Sequence, residues 1–135
     1  MIVKNGQKID VGGSRKTFSQ LVNAGDSLSL TSGDLTVTVN KTSNTAANMV
    51  ISFPTARNFQ YGFINFFDAA ASQFDNDRIL NGASATVRTN YGYTRGNTGM
   101  GTVTDFTNGV IYRITYGVGN SGTNGQVNWA SLMIE

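Results

Sequence analysis

Most residues that do side-chain chemistry are missing from this chain or isolated within it. Among 135 residues there is no histidine and no cysteine. That removes imidazole bases, thiolate nucleophiles, disulfides and cysteine metal sites together. A serine nucleophile would then need a lysine base, and Lys4, Lys8, Lys16 and Lys41 all stand in polar stretches that read as exposed. The nearest acidic cluster is Asp68, Asp75 and Asp77. Two such carboxylates could run glycosidic hydrolysis if one sat in an apolar pocket, and the same oxygens suit Ca²⁺. Against both uses, Arg78 directly follows Asp77, Asp and Asn are ordinary turn formers, and the only glutamate is the terminal Glu135. The sequence therefore assigns no catalytic residue, metal or cofactor, and keeps the three aspartates as weak calcium candidates.

One motif invites a nucleotide. Gly117-Val118-Gly119-Asn120-Ser121-Gly122 fits G-x-G-x-x-G and follows the strand-like run "GVIYRITY". A dinucleotide site needs the third glycine to open a helix, then a further strand carrying an acid. Thirteen residues follow Gly122, and "QVNWASLMI" among them alternates as a strand. The reading is a glycine-rich loop between the last two strands.

Binding chemistry is better represented. In "TNYGYTRGNTG", Tyr91, Tyr93 and Arg95 fall on one face of an extended chain. Tyrosine combines an apolar ring with a polar tip and arginine adds a planar donor, so this face and Trp129 are the candidate binding residues. The alternative is that the tyrosines cap the domain's own core.

The elements around these residues read as β. Hydrophobic residues make up 39% of the chain and charged ones 13%, with Asn, Thr, Ser and Gly supplying the polarity. Such residues suit exposed strand faces and turns and make poor helix interiors. In "LTVTV", Leu35, Val37 and Val39 share one face and Thr36 and Thr38 the other, after a turn at Ser32-Gly33-Asp34. Residues 41–48 read as a surface loop, "MVISF" as a strand ended by Pro54, and "YGFINFF" as a buried central strand. Four Asn-Gly pairs, at Asn5, Asn81, Asn108 and Asn124, mark candidate hairpin turns. The expected fold is a single all-β domain over 1–135: an antiparallel, jelly-roll-like β-sandwich. At most one short helical turn is expected, near 68–74, and residues 1–16 read as an N-terminal hairpin or arm.

The charge balance is +2 with the cations scattered, which argues against nucleic acid as a partner. No apolar run is long enough for a signal peptide or a membrane span.

The closing segment, from "GVIYRITY" through the Gly/Asn/Ser loop to Trp129 and Leu132-Met133-Ile134, resembles the last hairpin of jelly-roll modules in tailed-bacteriophage structural proteins. Those modules are themselves similar to carbohydrate-binding modules. The small size, lack of cysteine and Gly/Asn/Thr/Ser richness also resemble the capsid decoration and fibre-type accessory proteins of phage virions. The resemblance implies a non-enzymatic capsid decoration protein, made in the host cytoplasm and residing in the virion. Its partner would be the major capsid protein or another virion protein, bound by surface complementarity, and a homo-oligomer, a trimer, is the implied state. The alternative is a lectin-like carbohydrate-binding module or receptor-binding fibre domain that meets a glycan with Tyr91, Tyr93, Arg95 and Trp129.

Overall fold

The computed structural model describes residues 19–21, 23–44, 46–67, 72–88, 96–119 and 128–135. They form eight strands: β1 (Ser19–Leu21), β2 (Ser27–Ser32), β3 (Leu35–Ser43), β4 (Ala46–Phe67), β5 (Ser72–Arg88), β6 (Gly96–Asp105), β7 (Val110–Gly119) and β8 (Trp129–Ile134). All neighbours are antiparallel, in the order β1-β8-β7-β6-β4-β3-β2, with β5 also paired to β4. β2 comes back against β8 and β1, so the sheet curls nearly into a barrel. The all-β antiparallel fold expected from the sequence is therefore present, built from the two halves of one continuous sheet.

β4 joins the halves. Its first part pairs with β3, up to Ser52, and its second with β6, from Phe59. Between Ser52 and Arg57 its pairing with β5 is interrupted, and Pro54 stands there. Proline does not end the strand as its sequence context suggested. It falls where no ladder donor is required, and the strand bends through it.

The core follows from period two. Leu35, Val37 and Val39 on β3, Met49, Ile51, Phe53, Phe59, Tyr61 and Phe63 on β4, and Ala130, Leu132 and Ile134 on β8 all point inward and are buried. Phe53 and Phe59 meet at 5.0 Å between ring centroids, and Phe63 meets Tyr116 edge-on at 6.3 Å. Outward residues of β2, β3 and β4 form polar ladders. Ser27 Oγ donates to Asn40 Oδ1 at 2.6 Å, Asn40 Nδ2 to Asn48 Oδ1 at 2.9 Å, and Ser29 and Thr38 hydroxyls lie 2.7 Å apart. These cross-strand pairs account for the Ser/Thr/Asn-rich composition.

Three local expectations change. Residues 41–48 are mostly strand: the ladder runs on through Asn40↔Asn48 and Lys41↔Ala47, and Lys41 keeps the inward parity of Val39. The helical turn near 68–74 gives way to strand over 72–74, because Ser72 and Phe74 pair with Phe66 and Ile64; residues 68–71 lie outside the described residues, as do 1–16. Asn81-Gly82 is no hairpin but an irregularity inside β5, where Asn81 takes φ of 56° and its N–H donates to Asn58 Oδ1. Asn108-Gly109 does turn the chain, between β6 and β7, with Gly109 at φ 69°. No helix among the described residues is long and apolar enough to cross a membrane.

Candidate functional site

Gly117 and Gly119 are strand residues of β7, which returns antiparallel onto β8 through Gly119↔Trp129. Gly122, the third glycine of the G-x-G-x-x-G match, lies outside the described residues, but the antiparallel return of β8 at Trp129 is not the parallel βαβ unit that a dinucleotide site needs.

The charged groups that do come together form a corner. Arg57 Nη1 donates to Asp105 Oδ2 at 2.9 Å and to Asp34 Oδ2 at 3.2 Å, with the Arg57 and Asp105 side chains 4% and 0% exposed. The guanidinium also lies 4.4 Å from the Phe53 ring centroid. Asp105 Oδ1 accepts the backbone N–H groups of Thr107 and Asn108, capping the turn into β7. Burial opposes the Asp105 charge, yet hydrogen bonds from Asn108 and Arg57 outweigh it and hold the carboxyl below its usual range. Asn108 Nδ2 also donates to Asp105 Oδ2, so four hydrogen bonds engage the Asp105 carboxylate, and the corner fastens β4, β6 and the β2–β3 turn together. Lys41, read from sequence as exposed, is 1% exposed, and desolvation pushes its ammonium pKa down.

Of the residues singled out in the sequence, Asp68, Tyr91, Tyr93 and Arg95 lie outside the described residues. Asp75 and Asp77 alternate on β5, opposite Phe63 and Tyr61. No three acidic, histidine or cysteine side chains gather into a metal-sized group among the described residues. Trp129 stands on the outer face of β8, since its neighbours Ala130 and Leu132 point inward.

What the structure does assemble is a groove on the outer face of β5, β4 and β6, of about 360 Å³. Two rows across the strands make it. The register puts Phe74 and Met100 on either side of Ile64, and Asn76 and Thr102 on either side of Gly62. Phe74 is 71% exposed and Met100 49%, so both walls face solvent. Gly62 is the floor: a Cβ there would meet only the Asn76 Cβ, at 3.9 Å. Phe66, 39% exposed, extends the apolar surface along β4. The groove's side chains carry no charge. It offers apolar area with an amide and a hydroxyl at one rim, and nothing that transfers a proton.

This face was hidden in the sequence because "DAAASQFDND" reads as helix-like. As a strand, the same residues alternate and send Phe74 outward. Its signal was the spacing of Phe74, Asn76, Arg78 and Leu80 against the outward Gln60, Gly62 and Ile64 of "YGFINFF", visible only once the two were paired. Comparisons of the chain with protein-family models, with curated proteins and with solved structures gave no match.

Proposed function

We propose that this domain is a non-enzymatic structural protein of a tailed-phage virion, a capsid decoration protein that docks on a shell protein through the outer face of β5, β4 and β6. The carrying observation is the uncharged groove walled by Phe74, Ile64 and Met100 with Gly62 as its floor. Large apolar side chains presented together on a sheet face are costly to leave in water and suit a protein partner. Filling the groove with one apolar side chain and covering Phe74 would each contribute about 2 kcal/mol. A rim of neutral groups such as Asn76 and Thr102 then sets register without a charge to desolvate. The resemblance of the β7–β8 hairpin to phage jelly-roll modules supplies the virion context, and a trimer on the shell is part of the reading.

The test is co-sedimentation with capsids lacking the protein. Wild type is expected to pellet with the shells, and Gly62→Leu, which fills the groove without a backbone clash, and Phe74→Ser are expected to stay in the supernatant. Binding by both variants at wild-type level, or none by wild type, overturns the docking face. Analytical ultracentrifugation of the free protein reads the trimer directly.

A further inference from the structure

The last hairpin carries a second outer-face feature, independent of the groove. Trp129 is the sole tryptophan of the chain. Its indole is laid along β7 instead of standing off the sheet. A Cβ at Gly117 would come within 2.7 Å of Cη2 and Cζ3 at one end of the ring system, and one at Gly119 would overlap Nε1 and Cδ1 at the other. Each glycine in a strand costs about 0.5–1 kcal/mol relative to alanine. Two of them, alternating in a strand of Val, Ile and Tyr, give the indole its bed on the backbone. Trp129 remains half-buried, so part of the ring system stays open to solvent.

Its surroundings are neutral and hydroxyl-bearing. Ser131 Oγ lies over Gly117 beside the ring, 3.0 Å from the Cβ position. Across the sheet, Gly117 pairs with Thr98 of β6, and Thr98 pairs with Phe66 of β4. In the row Ser131–Gly117–Thr98–Phe66 the Thr98 hydroxyl therefore stands between the indole over Gly117 and Phe66, and Ser131 Oγ stands on the far side of the ring. β7 and β4 are two strand spacings apart, about 10 Å. That separation is what a disaccharide spans. The nearest charged pair in the hairpin, Arg113 and Glu135, lies further along the strands and is engaged with itself at 3.7 Å.

We propose that this face binds a neutral glycan. One sugar ring lies on the Trp129 indole and the next reaches towards Phe66, with Thr98 hydrogen-bonding the hydroxyls between and Ser131 those at the outer edge of the first ring. The apolar C–H face of a pyranose buries against the indole, and the hydroxyls replace water on Thr98 and Ser131. A nucleotide stacked on the same ring would bring a phosphate to rows with no cation among the described residues, so the uncharged ligand is favoured. The inference shares Phe66 and Thr98 with the outer face of β4 and β6 but needs neither the groove at Gly62 nor a shell partner.

The single tryptophan makes the experiment direct. The full chain is titrated with cellotetraose, xylotetraose, maltotetraose and chitotetraose, with adenosine monophosphate as the charged aromatic control, and tryptophan emission is followed. At least one sugar is expected to give a saturable emission change and the nucleotide none. By calorimetry, Thr98→Val and Phe66→Ala are each expected to weaken that sugar about tenfold. Trp129→Phe is expected to weaken it at least as much, and a thermal melt checks that each variant is folded. Gly62→Leu should leave the sugar titration unchanged, and Trp129→Phe should leave capsid co-sedimentation unchanged, so the two proposals fail separately. No saturable change with any sugar at millimolar concentration overturns the glycan site. So does tighter binding of the nucleotide, or full sugar affinity in both Thr98→Val and Phe66→Ala.

Discussion

Arg57 and Asp105 meet at 2.9 Å with both side chains almost out of solvent, although 48 residues separate them. The pair ties the bend of β4 to the end of β6, and the same carboxylate caps the turn that starts β7. Removing one member of a buried, hydrogen-bonded pair leaves the other charge desolvated, so Asp105→Ala is expected to cost about 3 kcal/mol. Urea unfolding followed by circular dichroism measures it. A loss under about 0.5 kcal/mol, the scale of ordinary surface substitutions, would mean the corner is not holding the sheet.

The same carboxylate sets an acid dependence. Its folded pKa lies below the unfolded value, so its contribution is complete above the unfolded carboxyl pKa, about 3.9. The contribution is lost as pH falls through the folded pKa, where both states become protonated. Wild type should therefore lose stability below about pH 4 more steeply than Asp105→Asn. Parallel melting curves from pH 6 down to strong acid would show it, and equal slopes would refute it.

Asn65 is fully buried, and neither its Oδ1 nor its Nδ2 has a hydrogen-bond partner among the described residues. An unpaired buried amide costs what its lost hydration is worth, so Asn65→Val should raise stability by about 1 kcal/mol. A fall in the urea midpoint would show that the amide is satisfied in solution.

Gly62 and Gly101 should respond in opposite ways. They lie next to each other across β4 and β6, on opposite faces of the sheet. At Gly62 a methyl group meets open groove, and Gly62→Ala should leave stability within about 0.5 kcal/mol. At Gly101 a Cβ would collide with the Gly62 carbonyl oxygen and the Phe63 ring, so Gly101→Ala should cost about 2 kcal/mol. Equal effects in thermal melts would contradict the assignment of faces.

Gly119→Ala places a methyl group where the Trp129 pyrrole ring lies. The indole must lift from β7, and its emission should move to longer wavelength with faster quenching by acrylamide. An unchanged spectrum would place the indole elsewhere.

The sequence alone determined the β class, the shared face of Leu35, Val37 and Val39 on β3, the strand character of β7 and β8, and the turns at Gly33 and Gly109. Each of these is written in a local period or a single turn residue, and needs no knowledge of which strand lies beside which. It also settled what catalysis lacks, since histidine and cysteine are absent from the chain. Tertiary structure decided the rest. Pro54 reads as a stop until β4 is seen to bend where no ladder bond is needed. Lys41 reads as exposed until the continued β3–β4 pairing turns it inward. The groove needs Phe74, Gly62 and Met100 from three strands in one register, and the indole bed needs Trp129 opposite Gly119. Such sites are made by cross-strand neighbours, which lie about 5 Å apart in space and tens of residues apart in the chain, so no local pattern can reveal them.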